Sequence, residues 1–316
     1  APLSIALGAN NESTSSGAIS LGYGNKNSGF NSTAVGAMNN ISGDSALAYG
    51  YKNTINGDFG VAFGQENEAG NTAFAGGILS KATGKGSIAF GNENIASGEY
   101  AVALGGDTTA SGPRSFALGN ECKASGNRSF ASGTNTTASG NYSHAQNEET
   151  TASGESATAM GYKTEASGNQ ALAGGRETIA SARNSTAFGF RTEATHEQSF
   201  TTGRNLITGR ENQTVVGEWN EVSEDALFVV GNGVNDGINR NNAFVVNDDG
   251  TAYLNDKPIA TEEYVDTSIA EYGYWDHVIT TLSDFENLAN YSGRILIKDI
   301  AFSGEVAFAI TVSEGT

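Results

Sequence analysis

The stretch SIAFGNENIASGEYAVALGGDTTASGPRSFALG, residues 87–119, decides the fold because it repeats one pattern every fourteen residues. Each unit closes on a glycine, and this marker glycine recurs along most of the chain. Every step is fourteen residues except the one of thirteen from Gly64 to Gly77, and Asn147 replaces the glycine once. The markers are Gly8, Gly22, Gly36, Gly50, Gly64, Gly77, Gly91, Gly105, Gly119, Gly133, Gly161, Gly175, Gly189, Gly203, Gly217 and Gly231. This period is too short for a helical hairpin or a propeller blade. It fits one coil of a parallel β-solenoid, in which each repeat stacks only on its neighbours.

The residues before each marker glycine predict a β-strand. Mostly bulky residues stand three and one positions before it and an alanine stands between them, as in Val102, Ala103 and Leu104. Such alternation is typical of a strand with two different faces. A second alanine column lies nine residues before the marker and usually precedes Ser-Gly, as at 96–98. Each coil is therefore predicted to hold two short strands and two corners assisted by glycine.

The contrast between the columns predicts which face is inside. A coil of fourteen residues encloses little volume, so its interior accepts only small side chains such as the alanines. The bulky columns then face outward, where they tolerate Ser132, His144, Gln146 and Thr202. Monomers rarely expose a long apolar stripe, so we expect a homo-oligomer that buries it around a symmetry axis. The alternative is a fatter monomeric solenoid that encloses the bulky residues.

The repeat resembles a known family at this point. Its S-x-A-x-G strand and A-S-G corner are similar to the YadA-like heads of trimeric autotransporter adhesins over about residues 4–231. The resemblance implies an all-β fold, a left-handed parallel β-roll that assembles as a homotrimer. Handedness and the number of copies come from the family and not from the spacing.

The sequence after residue 231 changes in two steps. Residues 226–265 indicate short strands with Asn-Asp-Gly turns and a helix that begins at Thr261. This stretch resembles connector segments of phage and prophage tail fibres from Gram-positive bacteria. The positions Val265, Ile269 and Tyr272 fit one coiled-coil seam or an amphipathic turn packed on the next domain.

The last part of the chain loses the glycine period and gains ordinary apolar core residues. We predict a short helix over Leu282–Leu288 and strands over Arg294–Ile300 and Glu305–Val312. This pattern indicates a small α+β cap or the start of a further β domain. The predicted domains are a β-roll head at 1–231, a connector with β-turns and a short helix at 232–273, and the C-terminal region at 274–316.

Composition limits the partners. The net charge of −18 disfavours nucleic acid and anionic membranes, because both attract basic patches. No apolar run approaches the roughly eighteen residues of a membrane helix, so we expect no membrane insertion within this chain. Cys122 is the one cysteine, which excludes an intrachain disulfide. We place it in a loop slot of its coil, as an incidental small residue.

No catalytic motif is visible in the sequence. The three histidines, His144, His196 and His277, are far apart, and His144 falls in a bulky column that predicts an interface. The acidic run 247–250 fits a β-turn better than a calcium loop, since it lacks the twelfth-position ligand. We therefore predict no catalytic, cofactor-binding or metal site. Ligand-binding residues stay unknown, and polar corner residues in 23–30, 51–58 and 106–114 are candidates by exposure alone.

Three functions are compatible with such a rod. The first is a non-enzymatic homotrimeric adhesive head, outside the cell or on the bacterial surface, that binds a cell-surface, matrix or glycan ligand. The second is a phage or prophage tail-fibre segment that recognises a bacterial surface from the virion tail. The third is a spacer for a polysaccharide-degrading domain that begins near Tyr274, which a carboxylate cluster on later coils would support.

Overall fold

The computed structural model describes residues 3–234 and 239–259, and two further strands, His277–Ile279 and Ile295–Ile297. It separates into two units, Ala1–Lys257 and Pro258–Thr316. The helix predicted from Thr261, the seam of Val265, Ile269 and Tyr272, the helix over Leu282–Leu288 and the strand over Glu305–Val312 lie outside the described residues.

Seventeen long strands form most of the twenty-stranded main sheet, and each one contains a marker position. They pair in parallel with the next coil in register, so that Val102, Ala103 and Leu104 face Phe116, Ala117 and Leu118. The strands are Ile5–Ala9, Ile19–Tyr23, Thr33–Ala37, Leu47–Tyr51, Val61–Gln65, Phe74–Ile78, Ile88–Asn92, Val102–Gly106, Phe116–Asn120, Phe130–Thr134, His144–Glu148, Thr158–Tyr162, Leu172–Arg176, Thr186–Phe190, Phe200–Arg204, Thr214–Glu218 and Ala226–Asn232. The predicted parallel β-solenoid of fourteen-residue coils is confirmed.

A second parallel sheet of two-residue strands closes the opposite side of the first fourteen coils. Its strands are Glu12–Ser13, Lys26–Asn27, Asn40–Ile41, Thr54–Ile55, Glu68–Ala69, Lys81–Ala82, Ile95–Ala96, Thr109–Ala110, Lys123–Ala124, Thr137–Ala138, Thr151–Ala152, Glu165–Ala166, Ile179–Ala180 and Glu193–Ala194. One isolated bridge, from Glu193 to Ile207, extends it by a step. Each of these fourteen coils therefore has two strands, as the sequence predicts.

The interior of the solenoid contains mostly small side chains. From Ala34 to Ala194 both inner columns have no exposed area, and they consist of alanines except for the larger Ile41 and Ile55. They belong to one continuous cluster of thirty buried residues from Ala34 to Ala194. The bulky residues on either side of each inner alanine remain on the surface of the chain. This arrangement excludes the fatter monomeric solenoid that would enclose them.

The two corners need glycine for different reasons. The marker glycines have left-handed φ values, 123° at Gly105 for example, which residues with a Cβ adopt at a cost. The glycine of the second corner has no such φ. At Gly98 a Cβ would collide with the carbonyl oxygen of Gly112 in the next coil. The left-handed residue of that corner is instead Tyr100, with φ of 56°.

The single thirteen-residue step is absorbed at the second corner. Val61–Gln65 and Phe74–Ile78 still pair residue for residue, and Glu68 and Ala69 still face Lys81 and Ala82. The coil that ends at Gly77 lacks the residue between Ala69 and Gly70 that its neighbours have at Asn56 and Thr83. The shortening therefore leaves both sheets intact.

The parallel stacking ends at Ala226–Asn232. This strand pairs in parallel with Thr214–Glu218 on one side and antiparallel with Asn242–Asn247 on the other. Asn242–Asn247 pairs in turn with Ala252–Leu254, also antiparallel, and the short strand Lys257–Pro258 belongs to the same sheet. The strands and the turn predicted for this region are present.

In the second unit, His277–Ile279 pairs in parallel with Ile295–Ile297. The latter lies inside the strand predicted over Arg294–Ile300.

Candidate adhesive surface

The main sheet presents a continuous row of bulky side chains to the outside. We call the residues one and three positions before the marker the apolar stripe. Leu7, Tyr49, Phe90 and Leu118 in it are 62%, 55%, 50% and 42% exposed. Burying a large aliphatic or aromatic side chain stabilises a structure by about 1.5–3 kcal/mol. The stripe therefore offers a strong driving force for association along its length.

Aromatic rings stack along the stripe from coil to coil. Ring centroids lie 6.1 Å apart for Tyr49 and Phe63 and 5.5 Å apart for Phe116 and Phe130. Phe74 lies 6.0 Å from Phe63 and 6.2 Å from Phe90, which joins the first set into a run of four rings. These separations are in the favourable range for aromatic pairs. The stripe is therefore an ordered row of rings in contact, tilted in the pairs of Phe63 and stacked in the pairs Phe74–Phe90 and Phe116–Phe130.

Two glycines in the stripe make room for a phenylalanine of the next coil. A Cβ on Gly76 would collide with the ring of Phe90, and one on Gly174 with the ring of Phe188. Each ring occupies the space that its glycine leaves open. In the sequence these glycines interrupt the bulky column. In the structure each glycine is paired with a phenylalanine of the next coil, whose ring keeps the surface of the stripe filled.

Polar residues interrupt the stripe near its middle. His144 and Gln146 pair with Phe130 and Ser132 of the preceding coil. The His144 ring lies edge-on to Phe130 at 4.8 Å, and its Nε2 atom is buried without a hydrogen-bond partner. His144 thus lies on the stripe, as its column position predicts, and has no neighbouring acid or nucleophile among the contacts described for it.

A column of asparagines inside the solenoid was missed by the sequence analysis. Asn25, Asn39, Asn53 and Asn67 stand three residues after successive markers and are buried. The side-chain amide of each donates to the amide oxygen of the one before, at 3.0–3.1 Å. A buried polar group is costly unless it is hydrogen-bonded, and this ladder satisfies it. Its sequence signal is an Asn repeated at the same fourteen-residue spacing.

The same slot holds other small polar residues in later coils. Thr108 donates to the amide oxygen of Asn94 at 2.6 Å. Cys122 follows, and its thiol lies 3.3 Å from the carbonyl oxygen of Leu118 and 3.2 Å from that of Gly133. Cys122 lies between the strands Phe116–Asn120 and Lys123–Ala124, in the predicted loop slot, and its side chain is fully buried inside the coil. The alternation of inward and outward residues continues through this corner, which the sequence analysis treated as a loop.

The edge at the first corner, just after each marker, changes its charge along the solenoid. Acidic residues occupy the position two residues after the marker at Glu93, Asp107, Glu121 and Glu149. From the coil of Gly161 onward, cations and aromatic rings occupy most of the two positions that follow the marker, although Glu177 remains acidic. We call this set the basic edge: Tyr162, Lys163, Arg176, Phe190, Arg191 and Arg204.

Guanidinium groups surround one ring of the basic edge. Arg176, Arg191 and Arg204 lie 5.5, 4.9 and 5.8 Å from the centre of the Phe190 ring. Arg176 also lies 5.6 Å from the Tyr162 ring. These distances are within the range of cation–π attraction. The contacts hold three flexible arginines side by side at the surface.

One carboxylate holds two of these arginines. Glu177 accepts from Nε of Arg191 at 2.6 Å and from Nε of Arg176 at 3.2 Å. The hydrogen bond from Arg191 is the main cause that lowers the pKa of Glu177. At the start of the edge, the hydrogen bond with Tyr162 and then the charge of Glu149 raise the pKa of Lys163. Arg204 has no carboxylate partner among the ion pairs of the described residues.

The second corner carries a separate pair of arginines. Arg114 lies 5.9 Å from the Tyr100 ring, and Arg128 lies 5.5 Å from the Tyr142 ring and donates to its hydroxyl at 2.8 Å. All four side chains are exposed. Of the three predicted corner segments, 106–114 thus contributes Arg114. Tyr23, Phe30 and Tyr51 are the exposed aromatic residues of 23–30 and 51–58. Asn25, Asn27, Asn53 and Thr108 from these segments are buried inside the coil.

A shallow groove of about 730 Å³ lies beside the second corner. It forms where Ala182, His196 and Arg210 successively take the place of the corner glycine. Nδ1 of His196 lies 3.1 Å from the hydroxyl of Thr195 and 3.3 Å from that of Thr208. Arg210 forms an ion pair of 2.5 Å with Asp248. The groove therefore contains an ion pair and a histidine that shares hydrogen bonds with two threonine hydroxyls.

No three metal-ligating side chains come together in the part of the chain that the structure describes. The acidic run 247–250 forms a turn, in which the Asp249 carboxylate accepts from the backbone and hydroxyl of Thr251 at 2.8 and 2.6 Å. The hydrogen bond from that hydroxyl is the main cause that lowers the pKa of Asp249. A search for helices able to cross a bilayer finds none among the described residues.

Comparison with known families agrees with this geometry. The YadA head domain repeat matches residues 2–25, 28–53, 69–94, 96–121, 124–143, 152–178 and 180–205, together more than half of the chain. The chain belongs to the YadA head domain repeat family. No curated protein matches it at the significance required.

The gaps in the family match coincide with irregularities of the solenoid. The first long gap, 54–68, ends at the corner where one residue is missing, and 144–151 contains the polar interruption and Asn147. The match ends at 205, yet coils continue in parallel through Thr214–Glu218 and Ala226–Asn232. The YadA-like β-roll is therefore longer in structure than in recognisable sequence.

Proposed function

We propose that this chain is the head of a homotrimeric surface adhesin that acts outside the cell. Three copies pack their apolar stripes together, and the remaining faces of the solenoid bind cell-surface, matrix or glycan ligands. The proposal assigns no catalysis, no cofactor, no nucleic acid and no membrane insertion to this chain.

The continuous exposed stripe carries this proposal. A single chain leaves Tyr49, Phe90 and Leu118 in water, although contiguous apolar patches of more than a few hundred Å² are rare on monomers. Each copy of the chain presents the same stripe, so packing the copies around one symmetry axis buries every stripe equally. The YadA head family, to which the chain belongs, supports a trimer as the closed form and adhesion as its purpose.

The tail-fibre alternative rests on the stretch 226–265. Its strands are explained by the hairpin that ends the solenoid, and the family match favours an adhesin. The spacer hypothesis gains no support from the family match.

Two measurements test the proposed function. Sedimentation equilibrium should give a mass of about three times 32.5 kDa, and a mass near one chain would contradict the trimer. Labelled protein should then be applied side by side to matrix proteins, a glycan panel and intact bacterial cells. Binding to matrix proteins or glycans supports an adhesin, whereas selective binding to bacterial cells would favour the tail-fibre alternative.

A further inference from the structure

We propose that the basic edge is a binding site for sulfated linear polysaccharide. It deepens the proposed adhesive function by naming a ligand class and the residues that bind it. The proposal uses Lys163, Arg176, Arg191 and Arg204 as anion-binding groups, with the Tyr162 and Phe190 rings between them.

The first argument is the local reversal of charge. The chain has 35 acidic and 17 basic residues, and the same edge is acidic at Glu93, Asp107 and Glu121. A run of cations over neighbouring coils therefore stands out from its own surroundings. Complementary charge is what steers and orients an anionic partner on a surface.

The second argument is the geometry of the arginines. Guanidinium groups form paired hydrogen bonds with planar or tetrahedral oxyanions and stack on aromatic rings. Three of them are gathered around Phe190, and Arg176 and Arg191 remain 62% and 56% exposed despite their ion pairs. Because the rings already restrict these side chains, less conformational entropy is lost when an anion binds.

The third argument is the spacing. Parallel strands lie about 4.8 Å apart, so cations on successive coils form a row along the solenoid. A thin, linear, polyanionic chain can follow such a row and meet one cation at each step. Sulfate esters stay ionised at every physiological pH, which suits permanently charged arginines. The sugar rings would lie against Tyr162 and Phe190.

A nucleic acid duplex fits this edge less well. Phosphate-backbone binding needs a basic surface of many contacts, and the acidic edge from Glu93 to Glu149 adjoins the basic residues. The row is one or two side chains wide, which matches a single polysaccharide chain.

The test measures binding of the whole chain to immobilised heparin, with desulfated heparin and duplex DNA as comparison surfaces. The triple variant Arg176→Ala, Arg191→Ala, Arg204→Ala should bind heparin about tenfold more weakly or worse, and the binding of the native protein should fall steeply with salt. The matched control is Arg114→Ala with Arg128→Ala, which removes arginine–aromatic contacts at the other corner. This control should retain nearly all binding.

A variant expected to bind more tightly distinguishes loss of the binding site from misfolding, since a misfolded protein would not gain heparin binding. Glu177→Gln removes the carboxylate that holds Arg176 and Arg191, so heparin should bind it severalfold more tightly. The proposal would be overturned if Glu177→Gln bound heparin no more tightly than the native protein, or if the control variant lost as much binding as the triple variant. It would also be overturned if the native protein bound duplex DNA more tightly than heparin, or did not bind heparin. Failure here with a trimer that still binds matrix proteins would leave the proposed function intact.

Discussion

The side-chain amide of Asn39 donates a 3.0 Å hydrogen bond to the amide oxygen of Asn25, one coil away, and both side chains are fully buried. The same oxygen also accepts from the backbone N–H of Asn39 at 3.1 Å. The Asn39 amide further donates to the carbonyl oxygens of Val35 and Gly50. One side chain therefore ties together three coils in the interior of the solenoid.

Replacing Asn39 by alanine should destabilise the protein by about 3 kcal/mol, because each buried polar group left unpaired costs about 1–3 kcal/mol. Asn39→Thr is the matched control, since Thr108 occupies the equivalent slot and donates to Asn94. We expect it to lose less than half as much. Urea unfolding followed by circular dichroism measures both, and equal losses would show that the ladder hydrogen bonds contribute little.

Gly105→Ala should be among the most damaging single changes. Its φ of 123° is unfavourable for alanine, and the new Cβ would collide with the carbonyl oxygen of Gly119. We expect a loss above about 4 kcal/mol, at the upper end for point substitutions. Gly250→Ala is the control, because φ is 86° there but nothing lies within 4 Å of its Cβ. That change should cost only about 1 kcal/mol, as measured by thermal unfolding.

Cys122 should resist thiol reagents while the protein is folded. Its side chain has no exposed area and contacts two backbone carbonyl groups. Reaction with a coloured disulfide reagent should be slow in buffer and rapid in denaturant. Cys122→Thr should fold normally because Thr136 and Thr150 fill the same slot in later coils. Fast labelling of the native protein would contradict the buried position.

A charge in the apolar stripe should weaken self-association without unfolding the coil. Leu118 is 42% exposed on one chain, so Leu118→Asp should leave the monomer folded. It should remove roughly 2 kcal/mol of association free energy per copy and add the cost of burying a carboxylate. Sedimentation should show a shift towards single chains. Ser153→Asp, an exposed corner change, should leave the mass unaltered.

Acid should strengthen heparin binding at the basic edge. The folded pKa of Glu177 is lowered, chiefly by its hydrogen bond with Arg191. Its contribution to stability is therefore present above its ordinary pKa of 4.5 and is lost as the pH falls through the lower folded value. Protonation of Glu177, which occurs as the pH falls through this lowered folded pKa, frees Arg176 and Arg191 for the ligand. Binding of native protein should rise in that window, while Glu177→Gln should show a smaller rise.

Much of the fold was predictable because fourteen-residue coils repeat one local solution. Alanine between two bulky residues, as in Val102, Ala103 and Leu104, specifies a strand with a confined inner face and an open outer face. The buried Asn ladder follows the same period, but its side chains are as polar as those of an exposed corner. Residue type alone therefore does not show that Asn39 and Cys122 are buried, whereas the path of the backbone turns both of them inward.

The basic edge was harder to predict. Tyr162, Arg176, Phe190 and Arg204 are separated by whole coils, and in the sequence they read as scattered corner residues. They become neighbours because in-register stacking brings Tyr162 beside Arg176 and Phe190 beside Arg204. Acidic residues at Glu93, Asp107 and Glu121 and cations in later coils form one edge whose charge changes along the solenoid. This change is visible only when equivalent positions of the coils are stacked on one another.

The sequence by itself determined the coil, its two strands and the outward direction of the bulky columns, because a short repeat forces every unit to adopt the same local geometry. The tertiary structure decided which polar residues are buried, where a missing residue is absorbed and which distant side chains share an edge. These depend on the distance between stacked backbones and on the direction of each Cβ, which residue types alone do not specify.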